Sequence, residues 1–345
     1  MIIIKYVPIL RYRTAEAGAL KNITITSKTM PLLELVQEIP LRSKKLTFND
    51  AYTEELSSYS FPFMIDIPLY LNVNNSTRPK IKTFLTQFKL NPSLKIDYYK
   101  TLSSNSNIIP VLSYADNPRK CITNNFKSDI KNLRPYFKRI AFRFFNTKDL
   151  TNIISDIESI ILPNDILLFD IGKAKLNDPK LMTMISSIIS STVFTTCTTV
   201  LVRSAINNDV IFKNMIQDNI VANADNSLLY SYSLLGFDAF GDYAGIRRDT
   251  SISNGGSSKT SVGFLYYSWQ CNGYIGFKGM QPTYTEFIST VKPNTMQSRY
   301  WKYYKSLHHK TCIGCLNISN TNSKSPTDWK RYSIEHYISA LEQYL

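Results

Sequence analysis

Residues 140–171 read IAFRFFNTKDLTNIISDIESIILPNDILLFDI, and they contain one complete strand–helix–strand unit. Two short apolar runs, Ile140–Phe145 and Ile166–Ile171, flank the segment Asp149–Ile161, whose apolar residues recur at helical spacing. Both runs are apolar nearly throughout, which is typical of strands buried on both faces of a parallel sheet. The stretch therefore predicts parallel strands joined by helices.

The same unit recurs along the first 245 residues, which hold eight apolar runs rich in β-branched or aromatic residues. The runs are Ile4–Leu10, Met30–Val36, Phe63–Leu69, Ile108–Tyr114, Ile140–Phe145, Ile166–Ile171, Thr198–Arg203 and Leu235–Tyr243. Helical patterns fill the gaps, at Thr14–Lys21, Thr47–Ser58, Lys80–Lys89, Pro118–Leu133, Asp149–Ile161, Asp178–Ser190 and Asp209–Gln217. Eight such units are the number that closes a barrel, so the sequence predicts an α/β fold of the (β/α)8, TIM-barrel-like type.

The character of the chain changes after residue 250. Residues 251–262, SISNGGSSKTSV, are mostly small and polar and predict a loop. Gly263–Gln270 and Asn272–Lys278 then predict an antiparallel hairpin, and Trp329–Tyr344 predicts a final helix. We expect a barrel at residues 1–250 and, at residues 251–345, a C-terminal hairpin and helices packed on the barrel.

Composition indicates a globular protein without a membrane span. The chain of 345 residues is 43% hydrophobic and 19% charged, and it has no run of 18 apolar residues. Its apolar start predicts the first barrel strand rather than a signal peptide, because no basic leader or small-residue cleavage site accompanies it. Five cysteines at irregular spacing argue against a disulfide framework, so we expect a reducing, cytoplasmic location.

The charge of the chain is unevenly distributed. The formal net charge is +14, and residues 1–150 carry 23 Lys and Arg against 11 Asp and Glu. A basic excess of this size can attract a polyanion, and nucleic acid is the usual one. The alternative is a solvated basic surface that reflects only the Asn-, Ile-, Lys- and Tyr-rich composition of the chain. Both interpretations remain open at the level of sequence.

Acids and arginines mark the ends of the predicted strands. The acids are Glu34, Asp66, Asp116, Asp170, Asp238 and Asp242. The arginines, in or just after strands, are Arg11, Arg13, Arg143 and Arg203. Because the carboxyl ends of barrel strands meet at one mouth, the acids could bind Mg²⁺ or act as general acid and base. They could equally pair with the arginines, since an isolated buried carboxylate is costly. Such a charge-balanced cavity would suit a charged or sugar-like ligand.

Histidines and cysteines near the C-terminus offer a second candidate site. The stretch His308-His309-x-x-Cys312-x-x-Cys315 has ligand types at plausible zinc spacing, with coincidence as the alternative. The remaining histidine, His336, lies in the predicted final helix. It could act at the barrel mouth only if the C-terminal region folds back over the barrel.

Five segments distributed over the chain form a further pattern. They are KYVPILRYRTAEAGAL at 5–20, MPLLELV at 30–36, GFDAFGDYAG at 236–245, NGYIGFKG at 272–279 and TDWKRYSIEHYISAL at 327–341. Together they resemble the phage "beta protein" family and related barrel-like proteins of bacterial mobile elements. The resemblance implies site roles for Glu34, Asp170, the Gly241-Asp242-Tyr243 block and His336. It therefore adds Tyr243 and His336 to the candidate ligand-binding residues. The chain departs from the family pattern around Cys312 and Cys315. The resemblance also implies a role in phage–host conflict.

Three functions follow from these observations. The first is an antiphage recognition module that binds a phage-derived or nucleic-acid ligand without turnover. The second is a metal-dependent phosphodiesterase or nuclease, in which Glu34, Asp66, Asp170 and Asp242 hold a cation such as Mg²⁺ while arginines neutralise phosphate. The third is a scaffold that docks a partner protein from the same defence operon.

Overall fold

A closed barrel of parallel strands forms the larger part of the molecule. A computed structural model describes residues 4–37, 54–75, 77–114, 126–145, 158, 160–206, 216, 218–223, 227–246, 262–303 and 311–345. The barrel strands are β1 (Tyr6–Tyr12), β2 (Leu32–Leu35), β3 (Phe63–Asp66), β4 (Ile108–Tyr114), β5 (Ala141–Phe145), β6 (Ile166–Asp170), β7 (Thr198–Val202) and β9 (Ala239–Asp242). They are hydrogen-bonded in that order, and β9 closes the barrel against β1 with Tyr6 opposite Phe240. The predicted (β/α)8 fold is confirmed.

Helices connect most of the barrel strands. Those in the first part of the chain are α1 (Thr14–Asn22), α2 (Pro79–Leu90), α3 (Ser93–Thr101), α4 (Phe126–Leu133), α5 (Pro179–Ile189), α6 (Thr192–Thr196) and α7 (Ser227–Ser231). Three of them, α1, α2 and α5, match predicted helices to within two residues at each end. Helix α3 was not predicted. Four other predicted helices lie in large part outside the described residues: Thr47–Ser58, Pro118–Leu133, Asp149–Ile161 and Asp209–Gln217.

The C-terminal part packs against the barrel as a small sheet and a set of helices. Strands β10 (Gly263–Ser268) and β11 (Gly273–Lys278) pair antiparallel, as the sequence predicts. A further strand, β8 (Asn219–Asn223), precedes β9 in the chain but pairs with β11. The π-helical turn Phe287–Val291 and helices α8 (Lys292–Gln297), α9 (Arg299–Tyr303), α10 (Ile313–Asn320) and α11 (Pro326–Glu342) follow. The sheet thus takes one strand from before residue 250 and two from after it.

The alternation of side chains along the strands decides what the barrel interior contains. Val7 and Ile9 of β1 lie in an inner apolar cluster together with residues such as Leu32 and Leu168. Successive strand residues point to opposite faces, so the residue two positions further along each strand also faces inward. At the carboxyl ends of the strands, these inward positions hold charged residues: Arg11, Glu34, Asp66, Arg143 and Asp170.

No helix in the described ranges combines the length and apolar character that a bilayer crossing requires.

Candidate functional site

Arg143 lies at the centre of the polar layer that fills the barrel mouth. Its side chain projects inward from β5 and is fully buried. One nitrogen of the guanidinium, Nη1, donates to Glu34 at 2.8 Å and to Asp66 at 3.2 Å. The other, Nη2, donates to Asp170 at 2.7 Å. A single cation therefore contacts carboxylates from three different strands, which fixes the relative positions of β2, β3 and β6.

Glu34 and Asp66 each have further donors that complete their hydrogen bonds. The hydroxyl of Tyr70 donates to Glu34 Oε1 at 2.5 Å, and Arg11 Nε lies 3.5 Å from Oε2. Asp66 Oδ1 accepts from Lys95 Nζ at 3.1 Å and from the Ser113 hydroxyl at 2.7 Å. These donors come from other elements of the barrel, so both carboxylates are held on more than one side.

Asp170 is held by the backbone of its own turn and by Tyr243. Its Oδ1 accepts from the backbone N–H of Gly172 at 3.0 Å, and its Oδ2 accepts from the Tyr243 hydroxyl at 2.6 Å. The Tyr243 hydroxyl oxygen in turn accepts from Arg143 Nη2 at 2.9 Å. Every carboxylate oxygen of the three acids that contact Arg143 thus has a donor. A divalent cation would therefore compete with a hydrogen-bond donor at each of these oxygens.

The layer is balanced in charge, which explains how it tolerates burial. Among the described side chains, three cations (Arg11, Lys95 and Arg143) contact three carboxylates (Glu34, Asp66 and Asp170). Burial by itself would lower the pKa of Arg143, but Tyr243, Tyr70, Asp170 and Glu34 outweigh burial and raise it well above the ordinary value. The guanidinium therefore stays charged, and the acids stay compensated.

A cleft opens beside this layer at the carboxyl ends of β1 and β9. It is narrow, with little more room than one water molecule takes, and is lined by Ile9, Arg11, Arg13, Glu16, Tyr243, Ile246 and Lys330. Glu16 is the one acid among these lining residues. Its Oε1 lies 2.5 Å from Lys330 Nζ and 4.0 Å from Arg13 Nη2, whereas its Oε2 is buried and accepts no hydrogen bond from the residues that the structure describes. The cleft is thus lined by three cations, Arg11, Arg13 and Lys330, and by one carboxylate, that of Glu16.

Burial, together with neighbouring like charge, lowers the pKa of two of the cleft cations. The pKa of Lys330 is lowered, first by burial and also by Arg13 and Arg11, although Glu16 opposes the change. The pKa of Arg13 is lowered by burial and by Arg11 and Arg78, again against the effect of Glu16. A bound anion would relieve this repulsion.

The structure brings together most of the residues that the sequence singled out. Glu34, Asp66, Asp170, Arg11, Arg143 and Tyr243 share one network, and Arg13 lies on the adjoining cleft. Asp242, Arg203 and His336 instead contact Tyr6, Ser227 and Tyr267, respectively, which are not members of that network. Asp116 lies outside the described residues.

Asp242 departs from the expectation that it reaches the barrel mouth. It alternates with the inward-facing positions of β9 and points outward, where Tyr6 donates to its Oδ1 at 2.8 Å and Tyr337 donates to its Oδ2. The Ala244 N–H also donates to Oδ1, at 2.9 Å. Burial raises the pKa of Asp242 to about 6, and these hydrogen bonds only partly oppose the rise. Asp238 lies at the other end of β9, where it accepts from the N–H and hydroxyl of Thr199.

Arg203 and His336 contact other parts of the molecule. Arg203, just after β7, donates to the Ser227 hydroxyl at 3.1 Å. His336 lies on α11 and is fully buried beside the C-terminal sheet, where its ring stacks on Tyr266 with centroids 4.1 Å apart. Cys312 and Cys315 lie next to it, and these three are the group among the described residues that could hold a metal ion. His308 and His309 lie outside the described residues.

Reasoning from sequence missed several members of the site. They are Glu16, Tyr70, Lys95, Ser113 and Lys330. Lys95 belongs to the unpredicted helix α3, and Lys330 comes from a helix more than 300 residues from Glu16. One local signal could have predicted the contact between Glu16 and Arg13. Glu16 lies three residues after Arg13 at the start of a short helix, and residues at that spacing lie on one face of a helix.

Fold and site together define a class: parallel eight-stranded α/β barrels with a charge-balanced inner layer and a basic cleft at the mouth. The chain belongs to the Beta protein family, because the family's model matches residues 6–341, nearly the whole chain. Comparisons with curated proteins and with solved structures give no match.

Proposed function

We propose that this protein is a recognition module that binds a phosphate group of a nucleic acid in the cleft at the barrel mouth, without turnover. The observation that carries the proposal is the arrangement of Arg11, Arg13 and Lys330 around the single acid Glu16. Arginine pairs with phosphate through two parallel hydrogen bonds, and lysine adds a point charge. The membership in the Beta protein family and its resemblance to phage proteins support phage–host conflict as the biological setting.

The inner layer supports binding rather than metal-dependent hydrolysis. A two-metal or one-metal phosphodiesterase needs carboxylate oxygens that are open to the cation. The oxygens of Glu34, Asp66 and Asp170 already accept hydrogen bonds from Arg143 and its neighbours. Their arrangement favours a supporting role, in which the acids hold Arg11 and Arg143 beneath the cleft.

The size of the cleft limits what it can hold. Pockets for drug-sized ligands have volumes of ~300–1,000 Å³, whereas this cleft has little more room than one water molecule takes. A terminal phosphate would therefore contact the cations at the opening of the cleft, with the rest of the ligand outside. The excess of Lys and Arg in residues 1–150 favours a polyanion as that ligand.

The test compares two single-stranded oligonucleotides of one sequence, with and without a 5′-phosphate, by fluorescence anisotropy at several salt concentrations. We expect the phosphorylated strand to bind more tightly, and the affinity to fall as salt rises. The double variant R13Q/K330Q should lose about tenfold or more in affinity, since a charge-assisted hydrogen bond contributes roughly 1.5–3 kcal/mol.

Lys180→Gln is the matched control, because Lys180 is an exposed lysine at the start of α5 and does not line the cleft. Its affinity should equal that of the unmodified protein. Absence of binding to either strand at low salt would refute a nucleic-acid ligand. An equal loss in K180Q and R13Q/K330Q would refute the cleft as the site, and melting temperatures check that the variants are folded.

A further inference from the structure

Three buried side chains that the proposed function does not use converge in the C-terminal part. Cys312 and Cys315 are each 1% exposed and His336 is fully buried. Their ligand atoms all lie within 4.8 Å of one another. The two cysteines do not form a disulfide with each other. Buried thiols and an imidazole at such separations are the donor types of structural zinc sites.

The distances fit one metal ion between the three atoms. His336 Nδ1 lies 3.5 Å from Cys312 Sγ and 3.3 Å from Cys315 Sγ. With Zn–S of about 2.3 Å and Zn–N of about 2.0–2.1 Å, a tetrahedral centre separates nitrogen and sulfur by about 3.5–3.6 Å. The observed separations are within a few tenths of an ångström of that value.

The surroundings of the imidazole orient it as a ligand. His336 Nε2 lies 2.7 Å from the backbone carbonyl oxygen of Tyr267. A carbonyl can only accept, so Nε2 carries the proton and the Nδ1 lone pair faces the two sulfurs. Metal-bound histidines in proteins are oriented in this way by a second partner.

The sulfurs also have donors suited to thiolates. The backbone N–H of Cys315 donates to Cys312 Sγ at 3.4 Å, and the Tyr266 hydroxyl lies 3.6 Å from Cys315 Sγ. The cluster around them is apolar and aromatic, with Trp301 and Trp329 among its members. Two thiolates and one divalent cation sum to zero charge, so a loaded site adds no net charge to this interior.

Gly314 permits the close approach that brings the cysteines to His336. A Cβ at this position would lie 2.4 Å from the His336 backbone nitrogen and 2.6 Å from the Tyr332 carbonyl oxygen. Any larger residue at position 314 would therefore push α10 away from α11. The sequence pattern had joined these cysteines to His308 and His309, whereas the geometry joins them to a residue on another helix.

We propose that Cys312, Cys315 and His336 bind one Zn²⁺ ion, with a water or another small ligand in the fourth position. The ion would connect the start of α10 to α11 and, through Tyr267, to β10. Binding releases the thiol protons to solvent, forms two Zn–S bonds and one Zn–N bond, and changes no oxidation state. The site is independent of the cleft and of the function proposed for it.

The test measures zinc in protein produced without a histidine tag, by inductively coupled plasma mass spectrometry, after incubation with Zn²⁺ and desalting. We expect about one zinc per chain. The variant C312S/C315S should lose it, and Cys271→Ser should keep it, since Cys271 lies outside the trio. Cobalt in place of zinc should give the absorption typical of tetrahedral thiolate coordination.

A second pair of variants separates loss of a ligand from loss of folding. His336→Ala should lower zinc occupancy or affinity, whereas His336→Cys keeps a ligand atom and should retain more of the ion. Circular dichroism reports whether each variant is folded. The proposal is overturned if the folded, unmodified protein takes up neither zinc nor cobalt, or if mass spectrometry finds Cys312 and Cys315 joined as a disulfide in the isolated protein.

Discussion

Replacing Arg143 with methionine should destabilise the protein strongly, because three buried carboxylates would lose their shared cation. The side chain is fully buried and donates to Glu34, Asp66 and Asp170 at 2.7–3.2 Å. Removing one partner of a buried ion pair costs about 3–5 kcal/mol, since the remaining charge is left uncompensated. Because Arg11 and Lys95 still compensate two of the acids, we expect a loss in this range rather than three times as much. Typical domains have only ~5–15 kcal/mol of stability in total.

The measurement is urea unfolding followed by circular dichroism, which gives the free energy of unfolding of each variant. Arg139→Met is the matched control, because the Arg139 side chain is partly exposed and its Nε donates to a backbone carbonyl, that of Asn164. It should cost less than about 1 kcal/mol. The double variant R143M/D170N should be less destabilised than the sum of its single variants, as coupled partners are. If R143M costs no more than R139M, Arg143 does not hold the acids of the barrel mouth.

Two further predictions concern residues outside the charged layer of the barrel mouth. Asp242→Asn should change the dependence of stability on pH. The folded pKa of Asp242, about 6, lies above the ordinary value of 3.8, so its contribution is fully present below about pH 4 and is lost as pH rises through 6. The loss is on the order of 3 kcal/mol. Unfolding free energies at pH 4–8 should therefore fall less steeply for D242N than for the unmodified protein, and parallel curves would contradict the assignment. Gly314→Ala should cost about 1–3 kcal/mol and lower zinc uptake, because its Cβ would meet the His336 backbone. Asn320→Ala, at the exposed end of the same helix, should change neither, and unchanged uptake in G314A would contradict the close approach.

The barrel was predictable because each of its strands carries its own local signal. Runs such as residues 166–169 are apolar on both faces, and the gaps between runs have helical periodicity. Strand β8 has no such signal. It is five residues long and is formed by pairing with β11, about 50 residues further along the chain. Local sequence does not specify a pairing at that distance.

Which acids reach the mouth depended on strand register rather than on residue type. Glu34 and Asp170 each lie two residues after an inward-facing leucine, so both face inward. Asp242 lies an odd number of positions from the inward-facing Ala239 and faces outward. A difference of one residue moves a side chain to the opposite face of a sheet. The predicted strand Leu235–Tyr243 was too long to fix that register, since only Ala239–Asp242 forms β9.

The C-terminal helix α11 shows that the region after residue 250 is part of the site and not an appendage. Lys330 lines the cleft with Glu16, His336 faces the two cysteines, and Tyr337 donates to Asp242 on the outside of β9. These three contacts lie within two turns of one helix, and each reaches a different part of the molecule. The family match is consistent with this arrangement, because it extends to residue 341, through nearly all of α11. A barrel without this helix would lack Lys330, one of the three cations that line the cleft. It would also lack the Tyr337 hydroxyl, which donates to the buried Asp242 of the closing strand.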